Sequence, residues 1–123
     1  MGKPLRILLV EDSRDDAALA LLTLRRAGYD PIHERVEDAD QMAVALEHGS
    51  WDAIIADYRL PRFSAPAALH LLRSTGQDLP FIIVTGAIGE ETAVAAMKAG
   101  AHDYLMKDNL ARLGAVVERE IRE

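Results

Sequence analysis

Short apolar runs alternate with longer amphipathic segments along the chain, and the alternation repeats five times. The apolar runs, which are bounded by polar or turn-forming residues, predict strands over residues 5–10, 31–36, 52–57, 80–85 and 103–106. The amphipathic segments predict helices between Ser13 and Gly28, between Asp38 and Gly49, and over 65–74, 90–99 and 109–123, with Asn109 as the cap of the last. The pattern is therefore five strand–helix units in strict order.

Strict alternation of strands and helices predicts an α/β fold with one parallel sheet covered by helices on both faces. The length of 123 residues fits one domain, so we expect a single doubly wound (βα)5 domain over 1–123. One common order for five such strands is 2-1-3-4-5, the flavodoxin-like arrangement. In that order ligands bind at the carboxyl ends of strands 1 and 3, where the winding reverses.

Composition excludes several classes of protein. Half of the residues are hydrophobic and the net charge is −6, which argues against direct nucleic acid binding and against an anionic membrane surface. The chain has no cysteine, so a disulfide scaffold and a thiolate metal site are excluded. Its apolar runs are too short to span a membrane and it shows no signal peptide, so we expect a cytoplasmic location.

Reactive side chains follow four of the five predicted strands. Glu11 and Asp12 follow the first strand, Asp57 ends the third, Thr85 ends the fourth and Lys107 follows the fifth. Each has an ordinary explanation when taken alone, since acids favour helix starts and aspartate is common in turns. Because all five meet at one edge of the predicted sheet, together they predict a site.

The residue types at this edge suit phosphoryl transfer. Three neighbouring acids repel one another unless a cation joins them, and oxygen ligands favour a hard ion such as Mg²⁺. A carboxylate such as Asp57 can act as a nucleophile toward a phosphoryl group. The oxygens of that group would then be neutralised by the metal, by Lys107 and by the Thr85 hydroxyl.

The chain resembles the receiver domain of two-component response regulators over essentially its whole length. The matching segments are LLVEDS, DYRLPRF, IIVTGAI and AGAHDYLMKD. The resemblance implies that Asp57 is the phosphoacceptor. It also implies that Glu11, Asp12, Asp57 and the backbone carbonyl of Arg59 bind Mg²⁺.

The same resemblance implies a switch and a set of partners. Thr85 and Lys107 would assist phosphorylation, and Thr85 with Tyr104 would switch the face formed by the fourth helix, fifth strand and fifth helix. A histidine kinase or phosphotransfer domain would donate the phosphoryl group. A downstream output protein or a fused domain would receive the signal, and homodimers would form through the switching face. The domain would be no enzyme beyond assisting its own phosphorylation and dephosphorylation.

Two positions depart from the family pattern. Ala65 stands where the family usually has glycine, so the loop after the third strand is expected to follow its own path. Asp108 replaces the usual proline after Lys107, so a trans peptide bond is expected there, because a cis bond without proline costs about 3 kcal/mol.

Other functions fit the sequence less well. Phosphatases with an Asp nucleophile need D-x-D after the first strand, where this chain has Glu11-Asp12-Ser13, and the glycine motifs of nucleotide-binding proteins are absent. The alternative is a receiver-like interaction module that is never phosphorylated.

The first helix carries more apolar residues than one buried stripe requires. Residues 17–22 are all alanine or leucine, so at least one of Leu19, Leu21 and Leu22 is expected to face outward. We interpret this patch either as ordinary exposure or as a docking surface for a helical phosphodonor, with Leu21 as the position to test.

Overall fold

The computed structural model describes residues 2–86 and 90–122. Five parallel strands form the main sheet: β1 (Lys3–Val10), β2 (Tyr29–Val36), β3 (Ala53–Ala56), β4 (Phe81–Thr85) and β5 (Asp103–Met106). Their order is β2-β1-β3-β4-β5, which confirms the predicted topology. The helices are α1 (Arg14–Arg26), α2 (Ala39–His48), α3 (Ala65–Ser74), α4 (Glu90–Lys98) and α5 (Leu113–Arg122). The end of the last predicted helix, Glu123, lies outside the described residues.

The sheet separates two apolar layers. Alternate residues of each central strand point to opposite faces, so Leu8 and Ile54 pack with α2, α3 and α4, while Ile7 and Ile55 pack with α1 and α5. The central strands β1, β3 and β4 are apolar on both faces for this reason. Strand β2 lies at the edge, where Pro31 is tolerated because one side of the strand lacks a partner.

Local signals account for the helix boundaries. The hydroxyl of Ser13 accepts a hydrogen bond from the Asp16 amide, and Asp38 caps α2 through the Gln41 amide. Helix α1 ends at a turn in which Gly28 has φ +98°, a conformation that glycine adopts without strain.

The approach to α5 differs from the predicted helix. A 3₁₀ turn over Lys107–Arg112 precedes α5, and Asn109 within it has φ −136° and ψ 52°, so the expectation that Asn109 caps a regular helix is wrong. The turn lets the chain place Lys107 at the end of β5 and then bury Leu110 within a few residues. The described backbone contains no cis peptide bond, so Lys107–Asp108 is trans as expected.

The loop after β3 forms a small hairpin that the sequence pattern did not predict. Arg59–Leu60 pairs antiparallel with Phe63–Ser64, and the amide of Ala65 donates to the Tyr58 carbonyl at 2.9 Å. Ala65 is fully buried, so its methyl group packs in the core at the place where the family usually has glycine.

Helices α1 and α5 touch through two small residues. A Cβ built on Gly114 of α5 would lie 2.4 Å from the Cβ of Ala27, the residue that ends α1. Real side chains do not approach so closely, so the spacing of these helices depends on the missing methyl group at position 114.

The leucines of α1 divide into a buried and an exposed set. Leu21 is 5 % exposed and Leu24 is fully buried against the sheet, whereas Leu19 and Leu22 are 46 % and 40 % exposed. The expectation of an outward leucine is confirmed, but the choice of Leu21 for that position is wrong. Within the described residues, no helix combines the length and hydropathy that crossing a bilayer requires.

Candidate functional site

Three carboxylates meet at the carboxyl ends of β1 and β3. Val10 pairs with Ala56, so the residues that follow, Glu11 and Asp57, leave adjacent strands side by side. One oxygen from each of Glu11, Asp12 and Asp57 lies within 4.8 Å of the others. Glu11 is buried and Asp57 half-buried, while Asp12 is exposed.

Lys107 reaches this acidic cluster from the end of β5. Its Nζ lies 2.9 Å from Oδ2 of Asp57 and 3.0 Å from Oε1 of Glu11, and it also donates to Oδ2 of Asp16. A lysine ammonium has three N–H donors; Asp16 and Asp57 accept hydrogen bonds from it, and Glu11 forms an ion pair with it. The side chain is only 20 % exposed, so water competes weakly for the ammonium.

Asp16 is the site neighbour that sequence analysis missed. It lies in the first turn of α1, where an acid is explained by the helix dipole alone. The available signal was its place in the first turn of the helix that directly follows Glu11 and Asp12, because that turn lies near the same end of the sheet.

The charges at the site are unbalanced. Four acids lie here, Glu11, Asp12, Asp16 and Asp57, and within the described part of the chain the ammonium of Lys107 contacts the carboxylates of all but Asp12. Burial raises the pKa of Glu11, and it outweighs the lowering by the hydrogen bonds from Lys107 and from the Ser13 amide. Burial alone would lower the pKa of Lys107, but its hydrogen bonds to Asp16, Asp57 and Glu11 together raise it above the ordinary value.

The acidic cluster has the donor chemistry of a hard-cation site. Its three converging ligands are all carboxylate oxygens, the type that Mg²⁺ prefers. No described contact joins Lys107 to Asp12, so the ammonium leaves part of the negative charge uncompensated. The residues present therefore fit a divalent ion.

Arg35 of β2 supports the loop that carries the acidic pair. Its Nη1 donates to the carbonyl oxygens of Glu11 at 3.0 Å and Asp12 at 3.4 Å, and lies 3.2 Å from the carboxylate of Glu37. The guanidinium thus ties the backbone after β1 to β2. Nothing in the sequence pattern distinguished this arginine, because its contacts are to backbone atoms.

Two residues predicted to switch lie on one face of neighbouring strands. Thr85 is buried at the end of β4, and Tyr104 of β5 is half-buried against the layer formed with α2, α3 and α4. In the register of these strands Thr85 pairs with Met106 and Ile83 with Tyr104. Tyr104 therefore lies beside Ile83, two residues before Thr85 in β4, and on the same face of the sheet as Thr85.

Arg59 lies two residues beyond Asp57, in the first strand of the small hairpin. Its backbone position is described, and ligation of a metal by its carbonyl stays a prediction.

Comparison with known proteins agrees with the resemblance. A family model described as "Response regulator receiver domain" matches residues 7–118. The relative "Response regulator MprA" of Mycobacterium avium (strain 104) is 34 % identical over 122 residues, which cover 94 % of this chain and 52 % of the relative. The chain thus spans about half the length of the curated relatives it matches.

Solved structures show the same architecture. The signal receiver domain of a putative Luxo repressor protein from Vibrio parahaemolyticus has a TM-score of 0.83 and 30 % identity, covering 97 % of this chain and 91 % of that one. The receiver domain of the sensor histidine kinase PA1611 from Pseudomonas aeruginosa PAO1, which holds a magnesium ion in its active site cleft, has a TM-score of 0.80. It is 30 % identical and covers the whole of both chains.

Proposed function

Because the chain belongs to the response regulator receiver family, we propose that Asp57 is its phosphoacceptor. Accepting a phosphoryl group in two-component signalling is the standard function of this family. The observation that supports Asp57 is its place between the Lys107 ammonium, 2.9 Å away, and the acidic pair that fits a cation. Its side chain is 11 % exposed and directly follows β3, at the edge of the sheet where a donor would approach.

The proposed reaction transfers a phosphoryl group from a phosphohistidine of a histidine kinase or phosphotransfer domain. An oxygen of Asp57 forms a bond to phosphorus while the P–N bond of the donor breaks. The electron pair of that bond stays on the imidazole nitrogen, and the product is an acyl phosphate. Lys107 and the hydroxyl of Thr85 would contact phosphoryl oxygens and stabilise the charge that develops on them.

We infer that Glu11, Asp12, Asp57 and the carbonyl of Arg59 hold Mg²⁺. When bound, the ion supplies positive charge that offsets the negative charge of the transferring group. Arg35 donates to the backbone carbonyls of Glu11 and Asp12 and so supports the loop that would carry two of the ligands.

The proposed response to phosphorylation involves α4, β5 and α5. Thr85 moves toward the phosphoryl oxygens, and Tyr104 fills the space that it leaves. Shift changes in ¹⁵N NMR spectra are expected along β5 and α5, and changes confined to the surroundings of Glu34 and His48 would contradict this switch. We propose that an output protein or a fused domain, and a second copy of the chain, bind the same face.

The exposed leucines of α1 give the phosphodonor a place to dock. Leu19 lines a small cavity next to Asp57, and its side chain and that of Leu22 face outward. An amphipathic helix of the donor domain could cover both leucines while its phosphohistidine reaches Asp57. This surface replaces the one centred on Leu21, which packs in the core.

Intact-mass measurement after incubation with acetyl phosphate and Mg²⁺ tests the function. One phosphoryl group should add to the wild-type chain, and Asp57→Asn should abolish that addition while keeping the size of the side chain. Asp78→Asn, an exposed acid before the amino end of β4, is the matched control and should label normally. No labelling of the wild type would favour the alternative, an interaction module that is never phosphorylated. Equal labelling of Asp57→Asn would show that another residue is the acceptor.

A further inference from the structure

Lys107 contacts a carboxylate that the proposed chemistry does not use. Oδ2 of Asp16 accepts a hydrogen bond from Nζ, and the two residues are 91 positions apart in the chain. The Asp16 side chain is 39 % exposed, and its backbone is held in the first turn of α1, where its amide donates to the Ser13 hydroxyl. The contact therefore joins α1 to the end of β5 beside the proposed acceptor.

The other two partners of the ammonium change during the proposed reaction. Glu11 belongs to the acidic pair that fits the cation, so metal binding competes with Lys107 for its carboxylate. Phosphorylation turns Asp57 into an acyl phosphate, which removes the charge that attracts the ammonium to that carboxylate. Asp16 takes part in neither event.

We propose that Asp16 is a positioning residue that holds the Lys107 ammonium beside Asp57 while the metal and the phosphoryl group displace its other partners. This inference rests on the proposed role of Asp57. Of the three N–H donors, one stays on Asp16 and fixes the side chain to α1. The donor released by Asp57 can then turn to a phosphoryl oxygen with little movement of the nitrogen.

Asp15 provides a matched control for Asp16. It precedes Asp16 in the same helical turn and has the same charge, but it is exposed and no described contact joins it to Lys107. Asp16→Asn and Asp15→Asn therefore remove equal charge from the helix start, and only the first removes the carboxylate that Lys107 contacts. Asp16→Glu keeps a carboxylate and should restore part of the function.

The first measurement is the rate of labelling by acetyl phosphate at saturating Mg²⁺. Asp16→Asn should slow labelling by about three- to tenfold, and Asp15→Asn should leave it within about twofold of the wild type. In a Lys107→Met background, Asp16→Asn should cause no further slowing, because Asp16 acts through Lys107. If the role of Asp16 were purely structural, Asp16→Asn would slow labelling equally in the wild-type and Lys107→Met backgrounds.

The second measurement uses the metal-free, unphosphorylated domain. The side-chain ammonium signal of Lys107 in ¹H–¹⁵N spectra at low temperature should be protected from solvent exchange in the wild type and in Asp15→Asn. Asp16→Asn should increase its exchange. Equal labelling rates and equal exchange for Asp16→Asn and Asp15→Asn would overturn the positioning role. Failure of the wild type to label would instead overturn the proposed function, whatever the exchange shows.

Discussion

Removing the charge of Asp12 should stabilise the metal-free domain and abolish its stabilisation by Mg²⁺. Asp12 suits this test because it is exposed and no described hydrogen bond involves its carboxylate, so Asp12→Asn changes charge with almost no change in packing. Glu11 is buried and bonded to Lys107, so the same change there would also remove those contacts.

The size of this stabilisation follows from the distances between the carboxylate oxygens. The ligand oxygens of Glu11, Asp12 and Asp57 lie within 4.8 Å of one another. Two unit charges at such a distance repel by roughly 0.9 kcal/mol in water-like surroundings and by more in a partly buried site. Lys107 already offsets Glu11 and Asp57, so we expect a net gain of about 1 kcal/mol, or roughly 3–6 °C in melting temperature for a domain of this size.

Magnesium should reverse the order of stability of the wild type and Asp12→Asn. At a Mg²⁺ concentration ten times the dissociation constant, binding stabilises the folded wild type by about 1.4 kcal/mol. Asp12→Asn binds the ion more weakly, so its melting temperature should hardly respond to the same concentration. Asp12→Asn should therefore be the more stable protein without metal, and the wild type should become the more stable one at this and higher Mg²⁺ concentrations.

Thermal unfolding followed by circular dichroism, with and without Mg²⁺, is the appropriate assay. Asp78→Asn removes an acid at the opposite end of the sheet and should change neither melting temperature by more than about 2 °C. A metal-free melting temperature that falls in Asp12→Asn would refute the argument from repulsion. A response to Mg²⁺ equal to that of the wild type would show that the ion binds elsewhere.

Three further changes test separate parts of the structure. Leu21→Ala should lower the free energy of unfolding in urea by about 2–4 kcal/mol, and Leu22→Ala by less than about 0.5 kcal/mol; equal losses would contradict their burial. Arg35→Met should speed amide hydrogen exchange in the loop after β1, and unchanged exchange there would rule out its supporting role. His102→Ala removes the Nδ1 that accepts the Phe81 amide at 2.9 Å and should cost about 1–2 kcal/mol in the same urea assay, whereas undiminished stability would mean that water replaces the ring.

The convergence of Glu11, Asp12, Asp57 and Lys107 could be predicted because it follows from topology. Carboxyl ends of parallel strands lie at one edge, so a polar residue directly after a strand is positioned by the strand itself. The strand order was one of a few that the alternation of strands and helices allows. Their chemical roles stay predictions, since proximity alone does not show a reaction.

Features that depend on the rotation of one element against another could not be predicted. The run of apolar residues surrounds α1, so periodicity did not decide whether Leu21 or Leu22 faces the sheet. The same rotation brings Asp16 to Lys107. The side chain of Asn109 is of a type that caps helices, but Asn109 lies within a 3₁₀ turn in the structure. This turn buries Leu110 in the core, a packing constraint that the local sequence does not show.

The contact between Gly114 and Ala27 limits how this chain can change during evolution. A single substitution at position 114 would put a methyl group 2.4 Å from that of Ala27, so α5 would have to move away from α1. Lys107 precedes α5 on the same stretch of chain and bonds to Asp16 of α1, so that movement would also disturb the site. Positions 27 and 114 should therefore behave as an epistatic pair. A larger residue at 114 becomes acceptable only after Ala27 has become glycine, and descendants of this sequence should rarely follow that route.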